Sequence, residues 1–291
     1  MVKKSYFAAA LVLGFLVMPL GVFAAQSKTG DNNAGLIGSA SRDAAVFAVD
    51  WQLPAGHQIL DVQTGDVTGD GIQDRVYLTG HKPSTASGYA DTITLFVENG
   101  ASKIRTETAL AGMGGYEARL FLGDFTGDHV ADILITAASG GSGGWYENRV
   151  VTFTTKAEVI FDQLDNSKIF VSGQFKDGYK LELYNETGTG SAVTLDVSAR
   201  KADYLRLGLY DHDGILKQQT RAMVTPFGRL EPVDTDNNGI YELKGRQRIA
   251  GAYNADGVAT VETVLAYTGQ QWQPRSVGLQ INLYLGLNTS R

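Results

Sequence analysis

Three short acidic segments contain the residues whose types and spacing are best suited to chemistry. If the first aspartate of each segment is position 1, oxygen-bearing side chains recur at positions 3, 5 and 9, and position 7 offers its backbone carbonyl. Calcium is bound by oxygen ligands of this kind at about 2.4 Å, so the spacing predicts three calcium loops. The candidate ligands are Asp66, Thr68, Asp70, Ile72 and Asp74 in the first loop, Asp124, Thr126, Asp128, Val130 and Asp132 in the second, and Asp234, Asp236, Asn238, Ile240 and Glu242 in the third.

Position 6 decides whether the chain can turn sharply enough to bring the later ligands back. Gly71 and Gly239 occupy this position in the first and third loops, and glycine adopts a positive φ without steric cost. The second loop has His129 there, a residue type that tolerates positive φ at some cost. We therefore expect the first loop to bind calcium best and the second to bind it most weakly. In the third loop, the neutral Asn238 replaces an aspartate at position 5, and Asp236 restores the lost charge at position 3.

An EF-hand begins with the same spacing, so the residues after position 9 must separate the two kinds of site. An EF-hand needs a bidentate Glu at position 12 and a helix on each side. Position 12 is Tyr77, Ile135 or Gly245 in the three loops, and the flanking segments alternate as strands do. The segments therefore resemble β-hairpin loops closed by the acid at position 9. For any single loop, an ordinary turn rich in Asp and Gly is the alternative.

The acidic residues of the chain are concentrated in these loops. The sequence has 31 acidic and 25 basic residues, a net charge of −6, and two of the basic residues, Lys3 and Lys4, lie in a predicted export signal. Nine acids belong to the loops, which leaves 22 acids against 23 basic residues in the remainder. The excess negative charge therefore lies where a cation would bind, and the acidic balance argues against nucleic acid as a partner.

The elements that must position the loops are predicted to be strands. The chain has 35 Gly, 13 Tyr and 12 Phe, and aromatic residues with frequent turns favour sheets over helices. Short segments that alternate apolar and polar residues lie between Gly, Asn, Asp or Pro. They are Arg75–Thr79, Thr92–Val97, Asp132–Ile135, Arg149–Phe153, Lys180–Tyr184 and Thr260–Leu265. The expected fold class is all-β.

Internal repetition organises these strands. The segment Gly65–Asp70 recurs 58 residues later as Gly123–Asp128, and the third loop starts 110 residues after the second. That gap leaves room for one degenerate copy, and Gly173–Gly178 keeps the Gly-x-Phe frame without the carboxylates. Repeats of this length with about four strands each fit the blades of a β-propeller. We predict four or five four-stranded blades with calcium loops between the first two strands of a blade; a β-sandwich is the alternative.

The first loop and the strand after it resemble a known repeat. The pattern Gly-Asp-x-Thr-Gly-Asp-Gly-x-x-Asp at residues 65–74, followed by an alternating strand, is similar to the FG-GAP or VCBS repeat of integrin-α-like propellers. The resemblance covers roughly residues 59–279 and is weaker in the second and third loops. It implies calcium bound between the first two strands of each blade, in an exported or cell-surface binding module.

The start of the chain reads as an export signal. Basic residues precede an apolar run over residues 7–17, and Ala24 and Ala25 provide small residues for cleavage. We predict a signal peptide at residues 1–25, a flexible leader at 26–45 and the propeller at 46–291. An uncleaved membrane anchor is the alternative. The chain has no cysteine, so an exported fold must depend on its core, on bound metal or on both.

Two further patterns point away from catalysis. Residues 140–144 match the Gly-x-Ser-x-Gly nucleophile elbow, but that turn must lead into a helix, and a strand is predicted after it. The histidines are scattered, so zinc is not expected. We expect a secreted or cell-surface, non-enzymatic binding module with structural Ca²⁺ and an extracellular protein or polysaccharide as ligand. An exported hydrolase or lyase and a structural component of an envelope or coat are the alternatives.

Overall fold

Antiparallel strands dominate the fold because short alternating segments are separated by turns. The computed structural model describes residues 52–281 apart from residues 85, 142, 155 and 187–191. Strand makes up 51% of it and helix 6%, so the all-β prediction is confirmed. Five of the six alternating segments named above fall wholly in a strand, and the sixth, Arg149–Phe153, extends one residue past β7. The predicted signal peptide, the leader and the two ends of the predicted propeller lie outside the described residues.

The first unit is an antiparallel meander of four strands, and each strand pairs with the next along the chain. Its strands are β1 (His57–Gly65), β2 (Asp74–His81), β3 (Tyr89–Glu98) and β4 (Arg105–Ala109). Residues 66–73, between β1 and β2, contain the first acidic loop.

The second unit repeats this order. Its strands are β5 (Gly115–Gly123), β6 (Asp132–Ala138), β7 (Tyr146–Thr152) and β8 (Glu158–Phe161). Two residue pairs between β3 and β5 join it to the first unit, so the two meanders form one eight-stranded sheet. The second acidic loop lies between β5 and β6, at the place equivalent to the first.

A three-stranded sheet follows the second unit. The short helix α1 (Gln163–Asn166) leads into β9 (Val171–Lys176), β10 (Lys180–Asn185) and β11 (Val193–Asp196). The predicted degenerate repeat at residues 173–178 spans the end of β9 and the turn into β10. A 3-10 turn (Ser198–Arg200) and helix α2 (Lys201–Arg206) come next.

The third unit is again a four-stranded meander, but its first strand is divided into two pieces. The two pieces, β12 (Met223–Val224) and β13 (Glu231–Val233), both pair with β14 (Glu242–Ala250). The sheet continues with β15 (Gly257–Tyr267) and β16 (Trp272–Ile281). The third acidic loop lies between β13 and β14.

Three apolar cores link the three units and the three-stranded sheet in series. The first core, between the first and second units, contains Ile133 and Ile135 of β6. The intervening Leu134 belongs to the second core, which the second unit shares with the third. The third core joins the third unit to the three-stranded sheet and helix α2. Alternate residues of β6 are therefore buried on opposite faces, as expected for a strand in an inner layer.

The sequence also predicts that the units close into a β-propeller. Closure of the units into a propeller stays a prediction, since the described residues show antiparallel sheets but no closed ring. None of the described helices is long and apolar enough to span a bilayer.

Candidate metal loops

The three acidic loops occupy the same place in their units. In each, the residue before position 1 pairs with the position 9 acid across the first two strands. The pairs are Gly65 with Asp74, Gly123 with Asp132, and Val233 with Glu242. Position 9 is therefore both the last residue of the loop and the first residue of the second strand, which anchors it to the sheet.

The loops also share one backbone conformation. Position 4 has a positive φ in all three, at Gly69 (76°), Gly127 (82°) and Asn237 (57°). Position 6 does as well, at Gly71 (81°), His129 (68°) and Gly239 (85°). A β-carbon added to Gly71 or Gly239 meets nothing within 4 Å, so glycine is favoured there by conformation and not by space. His129 adopts the turn in the second loop, as the sequence analysis expects.

The side chains at positions 1 and 5 turn inward onto the loop backbone. Asp66 accepts hydrogen bonds from the N–H groups of Gly69 (2.7 Å) and Gly71 (2.8 Å). Asp70 accepts one from the N–H of Ile72 (2.9 Å), the residue whose carbonyl is the candidate ligand at position 7. The second loop repeats these contacts from Asp124 and Asp128. In the third loop, Asp234 accepts from the N–H groups of positions 5 and 6, and Asn238 accepts from that of position 7. Short-range hydrogen bonds thus hold the oxygen donors in each loop.

The acids at position 9 are buried. Asp74, Asp132 and Glu242 are exposed by 0%, 1% and 4%, although carboxylates are rarely buried without a partner. Each accepts a hydrogen bond from the N–H of position 2, at 2.9, 2.8 and 3.0 Å. Burial nevertheless raises the pKa of Asp132 to about 6. The hydrogen bonds from Phe125 and Thr152 act in the opposite direction, and the nearby charge of Asp128 raises this pKa slightly further. The negative charge of the second loop is therefore incompletely compensated, and a bound cation would stabilise it.

In the first loop, a side chain from a distant turn contacts the candidate ligands. The Asn99 amide nitrogen, just after β3, donates hydrogen bonds to Thr68 Oγ1 (2.9 Å) and Asp70 Oδ2 (2.7 Å). The hydrogen bond from Asn99 contributes most to lowering the pKa of Asp70, and the hydrogen bond from the Ile72 N–H contributes next. The N–H of Gly100 donates to Asp74 Oδ1 at 2.8 Å. Sequence reasoning missed Asn99, although Asn-Gly is a strong hairpin signal.

The third loop has a basic partner instead. Arg275, from β16, lies 2.8 Å from Asp236 Oδ2 through Nη2, and its Nη1 pairs with Glu242 Oε1. The side chain therefore joins positions 3 and 9. In the second loop the nearest basic side chain among the described residues is His129, whose Nδ1 is 4.0 Å from Asp124 Oδ2 and whose side chain is 90% exposed.

The loops lie side by side and are hydrogen-bonded to one another. The N–H of Ala131 donates to the Asp66 carbonyl at 3.2 Å, and the N–H of Tyr241 donates to the Asp124 carbonyl at 2.7 Å. Both bonds run from position 8 of one loop to position 1 of the loop before it. The second and third loops are thus direct neighbours in space, and the three-stranded sheet does not separate them as the repeat spacing would suggest.

The donor set of the first two loops is suited to calcium. Every candidate ligand is an oxygen, from carboxylate, hydroxyl or backbone carbonyl, as hard cations prefer. Within the described part of the chain, no three His, Cys, Asp or Glu side chains converge closely enough to hold one ion. The loops also depend on hydroxyl and backbone carbonyl oxygens, so this finding does not decide whether they bind an ion, and calcium binding stays a proposal.

Two other sequence patterns are the Gly-x-Ser-x-Gly match and the scattered histidines. After Gly144 the chain enters strand β7 within two residues and not a helix, so the nucleophile-elbow geometry does not form. The His57 and His81 rings are neighbours across β1 and β2, with centroids 5.9 Å apart, and His81 Nδ1 lies 2.8 Å from Asp91 Oδ1. The spacing of the histidines in the sequence does not reveal that His57, His81 and Asp91 lie together, because the pairing of the strands brings them into contact.

The fold and the loops together define an all-β protein made of antiparallel units that each contain one acidic hairpin loop. The chain belongs to the YybI family. It is 37% identical over 230 residues to a protein of Bacillus subtilis (strain 168) described as the uncharacterized protein YybI, a match that covers 76% of this chain and 85% of that protein. A family model described as the YybI C-terminal domain matches residues 169–280. That region holds the three-stranded sheet and the third unit, which share the third core.

Proposed function

We propose that the protein is an exported calcium-binding repeat protein, a non-enzymatic binding module in which calcium is structural. The observation that carries this proposal is the equivalence of the loops: the same hairpin position, the same two positive φ values and a buried acid at position 9 in each. One Asp-rich turn is ordinary in any protein. Three in the same conformation at equivalent places indicate a selected arrangement of oxygen donors.

The physical role of calcium follows from where the charges lie. The position 9 acid joins the loop to the second strand, and in the second loop burial raises the pKa of this acid, Asp132, to about 6. A divalent cation would neutralise positions 1, 5 and 9 together. Because the cation binds the folded loop and not the unfolded chain, it stabilises the fold by mass action.

The same proposal extends to the architecture. Four-stranded meanders in series, joined face to face by apolar cores, are the construction of propeller blades, and the FG-GAP resemblance of the first loop points the same way. The three units and the three-stranded sheet would then be four blades. The ligand of such a module would be an extracellular protein or polysaccharide.

Thermal unfolding with and without calcium tests the proposal. With dissociation constants on the order of 10⁻⁴ to 10⁻³ M, 10 mM calcium adds about 1.4 to 2.7 kcal/mol for each occupied site. That corresponds to a rise in Tm of roughly 3 to 11 °C per site for a chain of this size. Chelator should reverse the rise, and equal magnesium, which prefers a smaller octahedral site, should reproduce little of it. Identical melting curves in calcium and chelator would refute a structural role for calcium.

A further inference from the structure

The third loop differs from the other two at the two positions that Arg275 contacts. Position 3 is Thr in the first and second loops and Asp236 in the third, which adds a carboxylate. Position 9 is Asp in the first two loops and the longer Glu242 in the third. The third loop thus has the same number of acids as the others, but one of its charges lies at position 3 and not at position 5, where Asn238 is neutral, and its position 9 acid is one methylene longer.

The guanidinium of Arg275 occupies the place that a cation would take between these positions. One of its nitrogens pairs with Asp236 at 2.8 Å and another with Glu242. The remaining oxygen of Glu242 accepts hydrogen bonds from the N–H (3.0 Å) and the hydroxyl (2.9 Å) of Thr235. Both oxygens of the buried acid are therefore already satisfied by donors within the protein.

This arrangement disfavours a metal for electrostatic reasons. Arginine keeps its charge at any relevant pH and presents a fixed fork that suits two carboxylate oxygens. Calcium could enter only by displacing this side chain, which would leave a guanidinium next to a divalent ion. The third loop consequently does not fit the metal that its sequence suggests.

Within the part of the chain that the structure describes, neither of the other loops has an arginine that bridges two of its acids. The group nearest to the donors of the first loop is the neutral Asn99 amide, which neutralises no charge. In the second loop His129 is 4.0 Å from Asp124 and its side chain is 90% exposed, so a contact at this place contributes little. Among the described residues, no lysine or arginine forms an ion pair with the acids of the first two loops, whereas Arg275 pairs with two acids of the third.

We infer that Arg275 is the built-in cation of the third loop, so that this loop closes without metal while the first two loops each bind one calcium ion. This inference rests on the proposed function for the first two loops. It assigns different roles to loops that the sequence pattern treats alike, and it sets the stoichiometry at two calcium ions per chain.

Equilibrium dialysis of the full chain against calcium tests the inference. Wild type should bind two ions per chain. Arg275→Gln keeps a hydrogen-bonding side chain of similar length but removes the charge, and it should bind three. The matched control is Arg246→Gln, because Arg246 is an exposed arginine paired with Glu262 at 2.9 Å in the same unit. The control should bind two ions, as wild type does.

A second measurement does not depend on the fold of the arginine variant. Asp66→Ala removes position 1 of the first loop and should lower the stoichiometry by one ion. Asp234→Ala removes the equivalent acid of the third loop and should leave the stoichiometry unchanged. Loss of an ion in Asp234→Ala, or three ions in wild type, would overturn the inference and leave the proposed function intact.

The wild-type count and the gain on substitution answer separate questions. If wild type binds no calcium but Arg275→Gln binds one ion, the proposed function fails and the role of Arg275 stands. If wild type binds two ions and Arg275→Gln also binds two, the role of Arg275 is wrong and the proposed function stands. If neither protein binds calcium, both are wrong.

Discussion

At the scale of single residues, His129 tests how much the sharp turn of the loops costs. A non-glycine residue in the left-handed region is strained by about 1 to 2 kcal/mol. Glycine avoids this strain, but its greater conformational entropy in the unfolded chain costs about 0.5 to 1 kcal/mol of stability. We therefore predict that His129→Gly raises the free energy of unfolding by about 0.5 to 1 kcal/mol. Urea denaturation in the presence of chelator measures this change without interference from metal.

The reciprocal substitution is the control. Gly71 has the same role in the first loop, and a β-carbon there meets no atom within 4 Å. Gly71→His should therefore lower stability through backbone strain alone, by a similar amount. A loss of stability in His129→Gly would show that the histidine contributes more through its side chain than it costs through its backbone.

The residues that complete each loop could not be predicted from the local pattern. Asn99 is 29 residues from Asp70, and Arg275 is 39 residues from Asp236. The spacing within a loop depends on short-range geometry and can be read from the sequence. The choice of an amide in one loop and a guanidinium in another depends on which strand end folds back over the loop, and that is decided by tertiary packing.

At the scale of elements, position 2 of the loop joins neighbouring units. Phe125 is 1% exposed and lies in the second core, with its ring 6.0 Å from that of Tyr241 and 6.1 Å from that of Trp272. Val67, at position 2 of the first loop, is buried in the first core. The first and second acidic loops are therefore not free surface turns, because the second residue of each is part of the apolar contact between neighbouring units.

We predict that Phe125→Ala lowers the free energy of unfolding by about 3 to 5 kcal/mol, because it opens a cavity between the second and third units. Ile72→Ala is a suitable control, since Ile72 is also an apolar loop residue but is 48% exposed. Its cost should stay within about 0.5 kcal/mol. Urea unfolding at a fixed calcium concentration compares the two, and equal losses would contradict a packing role for position 2.

The strands and the hairpins were predictable, whereas the order of the units in space was not. Alternation and Asp-Gly turns are local, so β1 to β2 and β5 to β6 follow from the sequence. The repeat spacing suggested a degenerate copy between the second and third loops. The Tyr241 N–H instead bonds directly to the Asp124 carbonyl, because the three-stranded sheet packs on the far face of the third unit through the third core.

At the scale of the whole molecule, the serial cores distinguish the two faces of the third unit. One face packs on the three-stranded sheet within the region that matches the YybI C-terminal domain. The other face contributes to the second core and needs the second unit as its partner. Its apolar side chains are Phe227, Leu230, Leu243, Leu265 and Trp272. The region matched by the family model therefore contains one complete core and half of another.

This division predicts the behaviour of a fragment that spans residues 169–281. Without Phe125, Leu134 and Phe161, the second-core face becomes an exposed apolar patch, and the Trp272 indole N–H loses the Ile160 carbonyl, to which it donates at 2.7 Å. Exposed patches of this kind cause association. We expect the fragment to bind the dye ANS and to form larger species than its sequence mass, as measured by light scattering after size-exclusion chromatography.

A fragment variant with Leu243→Thr and Leu265→Thr provides the matched comparison. Both leucines point to the lost partner face, so their replacement should reduce ANS binding and self-association while the third core keeps the fragment folded. Near-UV circular dichroism would report that core through Tyr204 and Tyr210, both of which are buried in it. A fragment that is monomeric and does not bind ANS without these substitutions would show that the second core is not required to cover this face.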